Sequence, residues 1–311
     1  MLILEPIFEQ DFQECSHGFR PKRSAKHALA QIKENVNAGR QQVYDADLSN
    51  YFDTIDHEKL MLLIQERIAD RSVLSLIRMW LKCTIVDKDD RSGKSKMTKP
   101  KEGTPQGGVI SPLLANIFLN YFDKVFYETK SSPLCFANAR LVRYADDFVI
   151  MAKYISARIT RWVEEKIEGK LALRINLEKT TIVDLCKQGN HLNFLGYTFR
   201  KDKDKLGRDK RYLNIFPSKK TVKSIKEKIK SKFMNYRMPL TEVIEEVNVI
   251  LRGWKNYYNA GYPRKVFREI NRYIQVCTYS SLRNRSQRKS KPFRKGESVY
   301  AGLKRYGLIY L

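Results

Sequence analysis

Apolar residues recur at two spacings along the chain, and these spacings predict where helices and strands lie. Behind Ser24, a residue type typical of helix N-caps, apolar residues recur every three or four positions as far as Gly39, which predicts an amphipathic helix. Residues 42–48 alternate instead, which predicts a short strand with Asp45 and Asp47 on one face. Because acidic residues are uncommon in strands, this strand is either a solvated edge strand or one that carries chemistry.

The same spacings continue through the first two thirds of the chain. Helices are predicted behind Asp56, over residues 73–83, behind Ser111 and over residues 159–167, and strands over residues 141–143, 148–151, 171–175, 194–199 and 212–216. Residues 85–102 are crowded with Lys, Asp and Gly, which is typical of an exposed hairpin or loop. The order up to residue 175 predicts an α+β fold, with helices packed on one face of an antiparallel sheet.

The composition changes near Pro217. Three amphipathic helices are predicted beyond it, over residues 222–233, 240–254 and 266–282. The opposite face of the first helix is nearly all lysine, and residues 283–294 form a strongly cationic segment. We therefore predict two domains, residues 1–216 around the sheet and residues 217–311 as a helical domain with a basic tail.

The charge of the chain predicts a polyanionic partner. There are 59 Lys and Arg against 34 Asp and Glu, which gives a formal net charge of +25 and a pI near 9.8. No apolar run approaches the roughly 18 residues that span a bilayer, and the first apolar residues meet Glu5 and Pro6 too early for a signal peptide. We expect a cytoplasmic protein that does not enter a membrane.

Aromatic residues accompany the basic residues of the predicted helical domain. They are Trp254, Tyr257, Tyr258 and Tyr262. Cations mixed with aromatic rings suit RNA, since rings stack on exposed bases. The alternative is that the rings form the core of the helical domain, and for Trp254 and Tyr257 this second interpretation is the favoured one.

Cysteine and histidine spacing does not indicate a metal or disulfide framework. The five cysteines contain no C-x-x-C pair, and the four histidines show no ligand spacing. We expect small buried thiols in a reducing compartment.

Asp146 and Asp147 lie in a predicted tight turn between two apolar, strand-forming runs. Asp is common in turns for conformational reasons alone, so the pair by itself does not indicate function. Together with Asp47 at the end of another strand, however, it could hold two divalent metal ions on one sheet. The glycine-rich residues 103–108 precede a helix N-terminus, which suits a phosphate or nucleotide but lacks the Gly-Lys-Ser/Thr ending of a Walker loop.

Several motifs in this order resemble those of group II intron-encoded reverse transcriptases and maturases. The matching segments are Gly18-Phe19-Arg20-Pro21, Ala46-Asp47-Leu48, Tyr51-Phe52-Asp53, Gly103-Thr104-Pro105-Gln106-Gly107-Gly108 with Val109-Ile110-Ser111-Pro112, Tyr144-Ala145-Asp146-Asp147, Leu177-Glu178-Lys179-Thr180 and Phe194-Leu195-Gly196-Tyr197. A further segment, Leu251-Arg252-Gly253-Trp254-Lys255-Asn256-Tyr257-Tyr258, resembles the thumb and maturase domain that grips intron RNA. The resemblance extends over nearly the whole chain.

The resemblance implies a right-hand polymerase palm with partial fingers, followed by an α-helical thumb and maturase domain. It implies an RNA-directed DNA polymerase that uses two Mg²⁺ ions, with Mn²⁺ as an alternative, an intron RNA template, a DNA primer and deoxynucleoside triphosphates. The implied metal ligands are Asp47, Leu48, Asp146 and Asp147, the three aspartates being the catalytic residues.

The other implied site residues surround this centre. Phe52 would exclude a ribose 2′-hydroxyl, Gln106 and Gly107 would contact nucleotide and template, Lys179 would lie near the active site, Leu195 and Gly196 would support the primer end, and Arg20, Arg23, Arg252 and Lys255 would bind RNA.

The chain also departs from the full family pattern. Full-length family members carry an N-terminal extension and a first fingers motif, which would precede the first residue of this chain, and an endonuclease domain, which would follow Leu311. The sequence of this chain contains none of these segments. We therefore expect partial fingers and no DNA cleavage. Two alternatives remain open, namely a catalytically impaired RNA-binding splicing maturase or remnant, and a viral-type RNA polymerase that shares the same palm chemistry.

Overall fold

The computed structural model describes the chain except for residues 89–94, 99, 106, 205–209, 286–292 and 295. The chain falls into two units, Met1–Asn190 and His191–Leu311. In the described part of the first unit the helices are α1 (Leu4–Glu9), α2 (Ala25–Asn37), α3 (His57–Gln65), α4 (Arg71–Leu81), α5 (Ser111–Glu128), α6 (Pro133–Ala137) and α7 (Ala157–Glu164). Its strands are β1 (Gln42–Ala46), β2 (Ile85–Lys88), β3 (Ser95–Thr98), β4 (Arg140–Tyr144), β5 (Asp147–Ala152) and β6 (Thr181–Asp184).

A four-stranded antiparallel sheet, in the order β4-β5-β1-β6, forms the centre of the first unit. Ala46 lies opposite Phe148 where β1 and β5 pair, and Tyr144 lies opposite Asp147 where β4 and β5 pair. The strands β2 and β3 form a separate hairpin, as predicted for residues 85–102. The α+β fold class is confirmed.

The main core packs helices against one face of the sheet. Phe122 of α5 contacts Phe148 of β5 and Trp162 of α7, with ring centroids 5.4 and 5.9 Å apart. The opposite face of the sheet is also covered. Val43 and Val149, which lie on that face, are both fully buried. Burial on both faces explains why β5 is apolar at every position after Asp147.

A buried ion pair joins the sheet to the central helix. Both Arg143 on β4 and Asp123 on α5 have completely buried side chains. The Arg143 guanidinium donates through Nε to both Asp123 carboxylate oxygens at 3.0 Å and through Nη2 to Oδ2 at 2.5 Å. Its Nη1 donates to Asn116 Oδ1 at 3.0 Å and to the Ala145 carbonyl at 2.8 Å. Every nitrogen of the guanidinium therefore has a partner.

The strand predicted over residues 171–175 does not form. A π-helical turn, Glu165–Lys170, extends α7, and the segment after it makes one isolated bridge, between Ile175 and Leu48. The edge strand that pairs with β1 is β6, further along the chain. Alternating leucines misled the prediction because their side chains are buried without strand pairing.

The second unit combines a three-stranded antiparallel sheet with helices. In its described part the elements are β7 (Leu192–Phe194), β8 (Tyr197–Lys203), β9 (Arg211–Pro217), α8 (Lys219–Phe233), α9 (Leu240–Tyr257), α10 (Arg264–Arg285) and α11 (Val299–Arg305). The strands predicted over residues 194–199 and 212–216 overlap β8 and β9, all three predicted helices are present, and α11 is additional. Its core includes Phe233, Val247 and Ile274. The division into two domains at Pro217 stays a prediction. In the structure the sheet of β7–β9 lies in the same unit as the helices.

The five cysteines, all among the described residues, form no disulfide, and not all of them are buried. Cys15 and Cys277 are buried, as expected, whereas Cys83, Cys135 and Cys186 are exposed. None of the helices in the described part of the chain is long and apolar enough to cross a bilayer.

Replacing Asp123 with Asn should destabilise the protein by about 3–5 kcal/mol, because the charge of Arg143 would stay buried without its partner. Urea unfolding of the variant measures this loss. The matched control is Glu34→Gln on α2, an exposed position, which should cost less than about 0.5 kcal/mol. Equal losses in the two variants would mean that the ion pair contributes nothing specific.

Candidate active site

The ends of β1 and β5 bring the predicted catalytic aspartates together. Asp47 follows β1, and Asp147 begins β5. Since Ala46 lies opposite Phe148, continuing the register by one residue places Asp47 beside Asp147. Asp45 is on the same face of β1 as Asp47 and lies opposite Val149, diagonal to Asp147.

Arg143 and Gly18 hold the turn that carries Asp146. Ala145 has a φ of +57°, and its carbonyl accepts from Arg143 Nη1 at 2.8 Å. Gly18 packs directly on this turn, and a methyl group there would lie 2.4 Å from the Ala145 nitrogen. The Gly18 carbonyl accepts from Asn116 Nδ2 at 2.8 Å. The glycine of the Gly18-Phe19-Arg20-Pro21 motif is thus required by backbone contact with the turn.

The carboxylates repel one another. Partial burial of the carboxyl group, followed by the negative charges of Asp146 and Asp47, raises the pKa of Asp147 to about 6, although the residue as a whole is exposed. Burial and the charges of Asp147 and Asp47 raise the pKa of Asp45 to about 7. The pKa of Asp146 is also raised, chiefly by burial. A cluster of this kind favours an added positive charge.

Asp47 is held by the segment that follows the π-helical turn. Its carbonyl accepts from the Asn176 N–H at 2.8 Å, and its N–H donates to Thr180 Oγ1 at 3.3 Å. Lys179 Nζ lies 3.3 Å from Asp47 Oδ2. The structure therefore brings Lys179 to the aspartates, but the lysine side chain is 67% exposed, so the pair is weak.

The carboxylates of Asp47, Asp146 and Asp147 supply hard oxygen donors of the kind that Mg²⁺ prefers. In the ranges that the structure describes, however, no three carboxylate, imidazole or thiol groups converge into a ready-made metal site. The side chain of Leu48 is buried in the core, so only its backbone could face an ion. The three aspartates fit a divalent cation because their carboxylate oxygens are suitable ligands and because a cation would offset the repulsion between their negative charges.

The glycine-rich loop packs against Phe52. The Thr104 N–H donates to the Phe52 carbonyl at 2.7 Å. Gly103 has a φ of +85°, and a methyl group on it would lie 2.7 Å from the Asp53 carbonyl oxygen, so glycine is required there. Gly107 is exposed, with open space around its Cα, while Gln106 lies outside the described residues.

Arg20 is a structural residue rather than a free cation. Its side chain is 4% exposed and pairs with Glu9 at 2.8 Å. Its remaining N–H groups donate to backbone carbonyls, among them those of Gln13 at 2.7 Å and Ser16 at 2.8 Å. Arg23 pairs with Glu14 at 2.5 Å. The expectation that Arg20 presents its charge to RNA is thus not supported, because every donor of its guanidinium is already used.

Leu195 and Gly196 form the turn between β7 and β8, with φ of +48° and +78°. The Tyr257 hydroxyl donates to the Leu195 carbonyl at 3.2 Å. A methyl group on Gly196 would lie 2.5 Å from the Tyr258 hydroxyl oxygen. Two aromatic residues of the second unit therefore support the turn, namely Tyr257, the last residue of α9, and Tyr258, which follows it.

Arg252 and Lys255 lie on the exposed side of α9, and neither forms an ion pair within the described ranges. Trp254 packs partly buried against the helical core, as favoured from the sequence, whereas Tyr257 is 40% exposed, which contradicts the core assignment for that residue. The ring of Tyr257 lies at the end of the helix, beside the turn that its hydroxyl binds.

Sequence reasoning missed three residues of this site. Asp45 was assigned to a strand face without a role, yet its carboxylate lies close enough to Asp47 and Asp147 for their charges to raise its pKa. Arg143 looked like one strand cation among many. His57 was noted only for lacking ligand spacing, yet its Nε2 lies 2.6 Å from the Gly103 carbonyl. The sequence signal that could have identified Asp45 is its position two residues before Asp47, which places both side chains on the same face of β1.

The raised pKa of Asp45, about 7 in the folded chain, predicts that folding stability falls with pH. Below pH ~4 the side chain is protonated in both states, and between about 4 and 7 the folded state binds more protons, so stability decreases as pH rises through this window. Asp45→Asn should therefore raise the melting temperature at pH 8 by about 3 °C or more, but not at pH 4. Thermal melts in EDTA measure this difference. An equal gain at both pH values would contradict the electrostatic cause.

Two family models match the chain. Residues 1–199 match the model described as reverse transcriptase (RNA-dependent DNA polymerase), and residues 222–298 match the group II intron, maturase-specific domain.

Individual curated proteins are also similar to this chain. Protein YkfC of Escherichia coli K12 is 32% identical over 71% of this chain and 64% of its own length. The group II intron-encoded protein LtrA of Lactococcus lactis subsp. cremoris is 29% identical over 91% of this chain and 58% of its own. The chain thus spans less than two thirds of the length of these curated relatives.

A solved telomerase from Candida albicans, in complex with a fragment of telomeric RNA, superposes with a TM-score of 0.47 at 15% identity, over 97% of this chain and 54% of that one. This likeness is too slight to bear on the assignment. Because the first model covers well over half of the residues, the chain belongs to the reverse transcriptase family, and its residues 222–298 match the group II intron maturase-specific domain.

Proposed function

We propose that this chain is the RNA-directed DNA polymerase and maturase part of a group II intron protein. The observation that carries the proposal is the meeting of Asp47, Asp146 and Asp147 at adjoining strand ends, where burial and mutual repulsion raise the pKa of two of them. Such a cluster is unfavourable without a cation and is suited to holding one. Membership of the reverse transcriptase family supports the assignment of the reaction.

Asp47, Asp146 and Asp147 would hold divalent ions, with Mg²⁺ as the proposed metal. When bound, such ions lower the pKa of a primer 3′-hydroxyl and neutralise the departing pyrophosphate. The residues of this chain would orient the reactants around them. Lys179 lies beside Asp47 and is exposed enough to reach a triphosphate.

Selection of the nucleotide would involve Phe52 and the glycine loop. The ring of Phe52 is half-buried against the core, and its carbonyl is tied to the loop at Thr104. A ring held in this way can exclude a 2′-hydroxyl by its volume, because the backbone behind it cannot retreat. Gly107, which has open space around it, would allow template or nucleotide to approach the loop closely.

Binding of intron RNA is a second activity, which the second unit could carry without catalysis. Its helix α8 presents five exposed lysines, at positions 219, 220, 223, 228 and 230, and α9 presents Arg252 and Lys255. Clustered cations without buried carboxylate partners bind a phosphate backbone. A maturase that assists splicing without polymerising DNA would need only this surface.

Asp146→Asn should reduce primer extension by at least about 100-fold, because it removes a charged metal ligand rather than an outer-shell partner. The assay extends a DNA primer on an RNA template with deoxynucleoside triphosphates and Mg²⁺. The matched control is Asp184→Asn, a carboxylate of the same sheet that lies opposite Gln42 at the far end of β1. This control should keep most of the activity.

Extension that survives Asp146→Asn would reject these aspartates as the catalytic centre. Should the unmodified chain fail to extend any primer, the RNA-binding maturase becomes the better description. In that case stimulation of intron splicing should be unaffected by Asp146→Asn.

Replacing Arg252 and Lys255 together with Ala should weaken binding of group II intron RNA about tenfold. The dependence of affinity on salt should also become shallower, by roughly one power of the salt concentration for each phosphate that the variant no longer binds. Filter binding at several KCl concentrations measures both quantities. The control replaces Lys33 and Lys187, exposed lysines of the first unit. An equal decrease in the control would mean that net charge alone determines the affinity.

A further inference from the structure

His57 makes a buried hydrogen bond that the proposed catalytic residues leave unexplained. It is the first residue of α3 and only 7% exposed. Its Nε2 lies 2.6 Å from the Gly103 carbonyl oxygen. Because a carbonyl oxygen only accepts, Nε2 must carry a proton and donate it.

This bond is one of three that tie the glycine loop to the segment carrying Phe52. The Gly103 N–H donates to the Ile55 carbonyl and the Thr104 N–H to the Phe52 carbonyl, each at 2.7 Å. A methyl group on Gly103 would also collide with the backbone of Asp53. The two segments are therefore in direct backbone contact, and His57 supplies the one side-chain bond among the three.

The side chain of Thr104 does not set this arrangement. It is 2% exposed, and its hydroxyl has no hydrogen-bond partner among the described residues. The loop is also held to the start of α5, because Ser111 Oγ donates to the Pro105 carbonyl at 2.7 Å. Two side chains therefore bind carbonyls of the loop, and of these His57 belongs to the chain segment that follows Phe52, whereas Ser111 belongs to α5.

We propose that His57 is a positioning residue that fixes the glycine loop against Phe52 and thereby sets discrimination between deoxyribonucleotides and ribonucleotides. The inference rests on the proposed polymerase function. Without the His57 bond, only the two backbone bonds would hold the loop to this segment. The looser contact would let the ring of Phe52 yield to a 2′-hydroxyl. Removing one hydrogen bond should relax discrimination about three- to tenfold.

The test compares His57→Leu, which removes the donor at similar volume, with His57→Gln, whose amide nitrogen can stand near the position of Nε2. For each enzyme, kcat/KM is measured for a deoxynucleotide and for the matching ribonucleotide in single-nucleotide primer extension. A merely structural role would lower the active fraction and reduce both values together, which leaves their ratio unchanged. A positioning role lowers the ratio in His57→Leu and restores it in His57→Gln.

Ser111→Ala is the matched control, because it removes a side-chain bond of similar length that ties the loop to α5 and not to the segment carrying Phe52. It should leave the discrimination ratio within about twofold of the unmodified chain. A ratio that is unchanged in His57→Leu, or that falls equally in Ser111→Ala, would overturn the assignment of His57.

Hydrogen exchange separates this inference from the proposed function. The amides of Gly103 and Thr104 should exchange at least about threefold faster in His57→Leu than in the unmodified chain or in His57→Gln. Unchanged exchange would show that the His57 bond does not hold the loop, even in an active polymerase. Faster exchange in a chain that extends no primer would confirm that the bond holds the loop but reject its role in discrimination, together with the polymerase function.

Discussion

The buried ion pair between Arg143 and Asp123 is the interaction on which the site depends. Removing both charges from water costs several kcal/mol for each ion, and only full hydrogen bonding offsets that cost. Burial alone would lower the pKa of Arg143, but the charge and hydrogen bonds of Asp123 raise it above its ordinary value. The same guanidinium binds Asn116 and the Ala145 carbonyl. Helix α5, strand β4 and the aspartate turn are therefore held at one point.

The two sides of the turn differ in how their charges are balanced. Behind it, Arg143 is fully neutralised by its partner. In front, Asp45, Asp146 and Asp147 have raised pKa values through burial and repulsion, and the cation paired with Asp47, Lys179, is mostly exposed. A rigid support therefore holds carboxylates in an arrangement that is unfavourable on its own. This is the condition under which binding a cation releases energy instead of requiring the site to reorganise.

Local sequence patterns predicted the parts of the site that depend on local geometry. Asp47 and Asp146 were identified because a strand end and a turn each have a short-range signature, and the sheet then brings them together. The Arg143–Asp123 pair was not predicted, since its partners are on different elements and nothing in the sequence marks which cation is buried. Arg20 was assigned to RNA for the same reason. The prediction of a strand over residues 171–175 was wrong because alternating apolar residues indicate which side chains are buried, not whether the backbone pairs with another strand.

The aromatic and basic residues of the α9 motif lie on different faces of the helix, and the two faces have different roles. Leu251, Trp254 and Tyr258 recur at helical spacing and point inward, and Tyr258 packs on Trp254 and Tyr197 with ring centroids 4.7 and 5.1 Å apart. Arg252 and Lys255 occupy the outward positions between them. Aromatic rings here support the Leu195-Gly196 turn, while the cations remain available to a polyanion. A decrease in RNA affinity caused by a substitution on the inward face would therefore be an indirect effect of disturbing this turn, whereas the same decrease from the outward face would report direct binding of RNA.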